Sequence, residues 1–131
     1  MRQDYRHRRT SVSLLNYHFV WVPRRRRSVL VGPVAVRAEA LIRRTAQELD
    51  CEVLALEIMP DHVHLFLNAS PHWAPDQLMF RIKGSSAHAL RKEFAALRRM
   101  PSLWTRSYFV STAGKVSSAT IRRYLADQKT T

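Results

Sequence analysis

MPDHVHLF, residues 59–66, is the stretch that decides the fold. Pro60 and Asp61 form a turn, and from His62 onward every second residue is aliphatic, as on a strand with one buried face. Val63, Leu65 and Leu67 then point towards a core, and His62, His64 and Phe66 point the other way. Residues 52–58 read as an antiparallel partner strand across the same turn. Two imidazoles side by side on the polar face of a hairpin are either solvated decoration or half of a metal site.

Working outward, SVSLLNYHFVWV at 11–22 alternates Leu15, Tyr17, Phe19 and Trp21 with Asn16, His18, Val20 and Val22. That pattern predicts a long strand rich in aromatic and β-branched residues. PRRRR at 23–27 is a charged turn. Pro33 opens a helix whose apolar positions Val34, Ala38, Leu41, Ile42, Thr45 and Leu49 follow helical spacing. Pro75 and Asp76 start a second helix, with Leu78, Ile82, Leu90, Phe94 and Leu97 as its buried stripe and Arg81, Lys83, Arg91 and Lys92 outside. LWTRSYFVST at 103–112 predicts a fourth strand and Gly114 a break. Ser117 or Ser118 caps a last helix running to about Gln128. The order β-α-β-β-α-β followed by a helix predicts an α+β, ferredoxin-like fold. Its antiparallel sheet carries two helices on one face and leaves the histidine-bearing face open.

The chain has 131 residues, 46% of them hydrophobic, which suits one compact domain. We expect residues 1–10 to form a basic, flexible arm and 11–131 a single domain. Lys and Arg number 22 against 10 Asp and Glu, a net charge of +12 that points to a polyanionic partner, most often nucleic acid. No apolar run is long enough to span a bilayer, no amphipathic membrane helix stands out and no signal-peptide pattern opens the chain, so no membrane partner is expected. Cys51 is the single cysteine, so no intrachain disulfide forms and a cytoplasmic location is the natural reading.

Two imidazoles rarely hold a catalytic metal alone. In TIRRYLADQ, residues 120–128, Tyr124 and Gln128 are four residues apart and share a helix face with Ile121 and Leu125. A tyrosine and an amide packed over two histidines would unite a nucleophile with a third ligand. The plainer alternative is a half-buried aromatic beside a surface amide, and spacing alone favours it.

The whole chain resembles a known family, however. PDHVHLF looks like the metal-binding motif of the HUH nucleases. YHFVWVPRRRRSVLVG, IKGSSAHALRKEF, WTRSYFVSTAG and TIRRYLADQ are similar, in order, to parts of the single-tyrosine transposases of the two-hundred/six-hundred-five group of insertion sequences. The resemblance runs from about residue 14 to residue 128. It implies that His62 and His64 are metal ligands, Tyr124 the nucleophile and Gln128 the third ligand. It further implies a divalent cation, Mg²⁺ or Mn²⁺, which mixed imidazole and amide donors suit. The implied substrate is single-stranded DNA with hairpin ends, cut through a 5′-phosphotyrosine that leaves a free 3′-hydroxyl. The implied assembly is a homodimer, in which Tyr124 and Gln128 of one chain meet His62 and His64 of the other. Arg25 stands where the family often has an aromatic residue and His88 where it often has arginine, which touches substrate detail and not the reaction.

For DNA contacts we single out Arg24, Arg25, Arg26 and Arg27 in the basic turn and Lys83 and Arg91 on the second helix. Trp21, Trp73 and Trp104 read as packing residues, His18 as structural and His72 as a loop residue. Two rival readings have their own signatures. A non-catalytic RRM-like module shares the element order but needs exposed aromatics on its central strands. A two-metal nuclease needs clustered acids, and only Glu57 and Asp61 lie near the motif. A domesticated relative that processes repeated palindromes would use the same chemistry as a mobile-element enzyme.

Overall fold

A computed structural model of the chain describes residues 4–112 and 118–128. Its strands are β1 (Arg6–His7), β2 (Val12–Ser13), β3 (Leu15–Trp21), β4 (Glu52–Met59), β5 (His62–Ala69) and β6 (Phe109–Ser111). Its helices are α1 (Gly32–Glu48), α2 (Pro75–Glu93) and α3 (Ser118–Asp127). Four strands make one antiparallel sheet in the order β4-β5-β3-β6. With α1 and α2 as crossovers, this is the ferredoxin-like arrangement that the hydrophobic periodicity predicts.

The alternation along β3 and β5 sorts the two faces. Phe19, Trp21, Val63, Leu65 and Leu67 are wholly buried against Ala38, Leu41 and Ile42 of α1 and Leu78, Ile82 and Leu90 of α2. Trp104 closes this core against Trp21, and Trp73 packs at its edge. On the opposite face Val20 and Val22 form a separate small cluster with Leu125 of α3, flanked by Phe109, Ile121 and Tyr124. The third helix therefore lies on the same side of the sheet as the histidines, over β3 and β6. Among the described residues, no helix is long and apolar enough to cross a membrane.

Three boundaries differ from those the sequence predicts. The stretch 11–22 is not one strand, because Val12–Ser13 pairs with Arg6–His7 in a ribbon and the sheet strand starts at Leu15. Arg6 and Arg8 of that ribbon pair with Asp50, so this part of the N-terminal arm is tied down. The second helix ends at Glu93, where Phe94 turns extended (φ −121°) and Leu97 falls in a following 3₁₀ turn. Arg98 reinforces that stop by donating to the carbonyls of Arg91 and Lys92 at 2.8 and 2.9 Å. The fourth strand spans only Phe109–Ser111 instead of 103–112. Trp104 makes a single bridge to Pro23, and the chain then leaves the sheet until Phe109. The expected break at Gly114 and cap at Ser117 lie outside the described residues.

Candidate active site

His62 begins β5 directly after the turn, and its Nδ1 lies 2.7 Å from Asp61 Oδ1. Asp61 Oδ2 in turn lies 2.8 Å from Arg26 Nε. Burial alone would raise the Asp61 carboxyl, but the His62 hydrogen bond and the Arg26 guanidinium outweigh it and hold the group below its usual range. An ionised Asp61 accepts the Nδ1 proton, which leaves the His62 Nε2 lone pair for a ligand.

His64 stands two residues on, its ring centroid 4.9 Å from that of His62. Its Nδ1 is 3.2 Å from Nε2 of His18, which is 5% exposed and stacks on Phe66 at 4.0 Å. Burial, followed by the charge of the neighbouring imidazole, pushes both His18 and His64 down, so both stay neutral at neutral pH. A neutral His64 that donates from Nδ1 to His18 also offers Nε2. The donor set therefore fits a divalent cation: two imidazoles held at Nδ1 with Nε2 available. Among the described residues no three His, Cys, Asp or Glu side chains converge to hold a metal.

The aromatic rings lead from the histidines to α3. His18 lies 6.2 Å from Phe109, and Phe109 lies 6.1 Å from Tyr124. Leu125 locks the helix face by burial against Val20 and Val22. Because Val20 pairs across the ladder with His64, this seat adjoins the histidine pair. Tyr124 Oη is 3.1 Å from Ser107 Oγ, and the Ser107 hydroxyl donates to Gln128 Oε1 at 2.7 Å. Gln128 is 8% exposed, so it is no fraying surface amide. Burial raises the Tyr124 phenol and the Ser107 hydrogen bond offsets only part of that, so the group is protonated at neutral pH. Such a phenol attacks only with help from a neighbouring base or cation.

Comparison with known proteins gives this arrangement a context. The chain matches the family model for IS200-like transposases over residues 11–128. It belongs to the IS200-like transposase family. It is 35% identical over 117 residues to the ISDra2 transposase TnpA of Deinococcus radiodurans, covering 87% of this chain and 84% of that one. Its identity with the IS200 element transposase of Salmonella typhimurium is 30% over 115 residues, 86% of this chain and 75% of the relative. A solved transposase from Deinococcus radiodurans R1 superimposes with a TM-score of 0.88 at 34% identity, covering 96% of this chain and 99% of that one. A REP-associated tyrosine transposase, solved bound to a REP hairpin, shares the fold at a TM-score of 0.60 and 16% identity, over 92% of this chain and 67% of that one. Membership makes this chain a DNA-cutting and rejoining enzyme of insertion-sequence transposition.

For this transposase the basic residues divide into outward and inward groups. Arg25 and Arg27 are exposed and Arg24 is half-buried. Arg25 and Arg26 both adopt left-handed backbone, φ 56° and 53°, which bends the turn sharply and sends Arg26 back to Asp61. Lys83 Nζ donates to the carbonyls of Thr105 and Ser107 at 2.7 and 3.1 Å, and burial lowers its pKa to about 8. Arg91 donates to the Met100 carbonyl at 2.9 Å. Arg24, Lys83, Arg91 and Arg106 nonetheless line one open cleft of about 930 Å³, which reaches Ser107 and Gln128.

Sequence reasoning missed three contributors to the site. His18 was legible in principle, since it sits on the same face of the alternating pattern as the histidine pair. Asp61 was read as a turn former and as one of two acids near the motif, not as the partner of His62. Ser107 carried no signal, because its position depends on the chain leaving the sheet.

Proposed function

We propose that this transposase is a metal-dependent single-stranded DNA endonuclease and strand transferase that recognises hairpins at the ends of its element. Tyr124 attacks the scissile phosphodiester, a 5′-phosphotyrosine forms, and the 3′-oxygen leaves as a free hydroxyl. A second strand's 3′-hydroxyl then attacks the phosphotyrosine, which releases Tyr124 and rejoins DNA without ATP. The observation that supports this most directly is α3, whose Tyr124 rests on the sheet face that carries His62 and His64.

His62, His64 and Gln128 would hold the cation, Mg²⁺ or Mn²⁺. When bound, the cation neutralises charge that develops on the phosphate and orients it for in-line attack. The protein's own part is to aim both imidazoles, through Asp61 and His18, and to hold the phenol, through Ser107 and Phe109, on the same side of the sheet. The test is to incubate the protein with a labelled hairpin-ended single strand and a divalent cation, then look for a denaturant-resistant adduct. Its absence, with the DNA bound, would sink the reading.

We also propose a homodimer in which Tyr124 and Gln128 serve the partner's histidines, acting in the cytoplasm on nucleoid DNA. In the single chain α3 lies on its own sheet. An exchanged helix makes the same contacts on an identical neighbour, so the swap needs no new surface. The REP-associated relative was solved with a hairpin, which is compatible with hairpin recognition here. A domesticated role in processing palindromes would use the same chemistry and is distinguished by the DNA that flanks the gene.

For DNA affinity, Arg24, Arg25 and Arg27 are the phosphate contacts of the basic turn. Arg26, Lys83 and Arg91 already hold protein partners. Binding should weaken steeply with salt, and the double substitution Arg25→Ala, Arg27→Ala should flatten the log–log slope by about 2. A slope that does not change would place the DNA elsewhere.

A further inference from the structure

We propose that Ser107 is a positioning residue for the phosphotyrosine chemistry, its hydroxyl clamping the Tyr124 phenol and the Gln128 amide together and fixing α3 to the body of the domain. This rests on the reading of Tyr124 as the nucleophile.

The clamp is anchored from below. Ser107 lies where the chain has left the sheet, between Trp104 and Phe109. Lys83, on α2, donates its ammonium hydrogens to the carbonyls of Thr105 and Ser107, which fixes the loop from beneath. Thr105 is buried, and its Oγ1 lies 3.3 Å from Ser107 Oγ. An exposed serine in an irregular loop is thus held by its backbone, with its hydroxyl turned towards α3.

Proton arithmetic then sets the direction of each bond. A serine hydroxyl carries one proton and two lone pairs, and an amide oxygen only accepts. With Gln128 Oε1 at 2.7 Å, the Ser107 proton goes there. The Tyr124 phenol at 3.1 Å must therefore donate into Ser107. One hydroxyl thereby orients the nucleophile's oxygen and the amide oxygen of the proposed third ligand.

Two anchors a helical turn apart also restrict how α3 can move. Residues four apart lie along one face, so holding both resists rotation about the helix axis as well as sliding along it. Among the described residues of α3, Leu125 is the buried apolar side chain of the seat, with Ile121 and Tyr124 half-buried beside it. A single aliphatic knob tolerates rotation, and a misplacement of about 1 Å at reacting atoms can cost on the order of 10²-fold in rate.

The experiment uses the full chain with Ser107→Ala, Ser107→Cys and Ser107→Thr. Cysteine keeps the volume but is a weak donor, and threonine keeps the hydroxyl. With saturating hairpin-ended single strand and Mg²⁺, single-turnover adduct formation should slow about 10- to 100-fold in Ser107→Ala and Ser107→Cys. Ser107→Thr should recover most of the native rate. Affinity for the DNA without metal should stay within about twofold of native, because the clamp is not a phosphate contact. Hydrogen exchange of the α3 amides, in protein free of metal and DNA, should accelerate in the alanine and cysteine variants and return in the threonine variant. Native adduct rates in Ser107→Ala, or slowing that threonine does not relieve, would overturn the proposal. If the native protein forms no adduct, the nucleophile reading fails first; unchanged α3 exchange in Ser107→Ala then overturns the clamp independently.

Discussion

Tyr124→Phe should leave the protein folded, able to bind hairpin DNA, and unable to form any covalent adduct. The substitution removes one oxygen. The ring keeps its place beside Phe109, and Ser107 keeps its bond to Gln128, so the seat of α3 survives. Loss of a covalent nucleophile costs on the order of 10⁶ in rate where no other group can replace it. A denaturing gel should therefore show neither the adduct nor the free 3′ fragment. Cleavage that persists in the variant would mean that water, not the phenol, attacks the phosphate.

His62→Ala should abolish nicking in Mg²⁺ or Mn²⁺ while hairpin binding stays near native. The imidazole is one of two donors that the hairpin turn presents, and Asp61 remains paired with Arg26 after its removal. Several kcal/mol of charge stabilisation at the phosphate disappear with the cation, which corresponds to a loss of at least about 10³-fold. Calorimetric titration with Mn²⁺ should show the binding step gone. A variant that cleaves at the native rate would refute the metal centre. Mixing His62→Ala with Tyr124→Phe subunits separates shared sites from in-chain sites. Each is inactive alone, but a hybrid dimer with exchanged helices has one site with both intact parts. Mixed dimers that form and stay inactive would show that the cut is made within one chain.

The sheet and the histidine pair were legible because strand periodicity is a local property. Val63, Leu65 and Leu67 bury one face whatever the rest of the chain does, so His62 and His64 must take the other. Tyr124 and Gln128 were legible as a helix face by spacing, and as a candidate site only by resemblance. The shell around them was not legible, because it arises from tertiary geometry. Ser107 meets α3 only because the chain leaves the sheet between Trp104 and Phe109. Arg26 reaches Asp61 only because the turn is left-handed at two consecutive arginines. Lys83 looked like an outward cation on a helix, and the 101–108 segment folding over it turned its ammonium inward. Propensity cannot foresee such contacts, since each joins residues whose spacing follows no period.

The hydrophobic interior is divided into a large cluster and a small one, and the small one holds α3 with little buried apolar surface. Full burial of one leucine is worth about 1.5–3 kcal/mol, against roughly 5–15 kcal/mol for a whole domain. The helix that bears Tyr124 can therefore detach while α1, α2 and the sheet stay folded, as a local opening on the microsecond-to-second scale. Any strand joined to that tyrosine leaves with it. If Tyr124 is the nucleophile proposed above, the fold is a fixed bench with a detachable jaw: the histidines stay where they are, and the cut end is what travels.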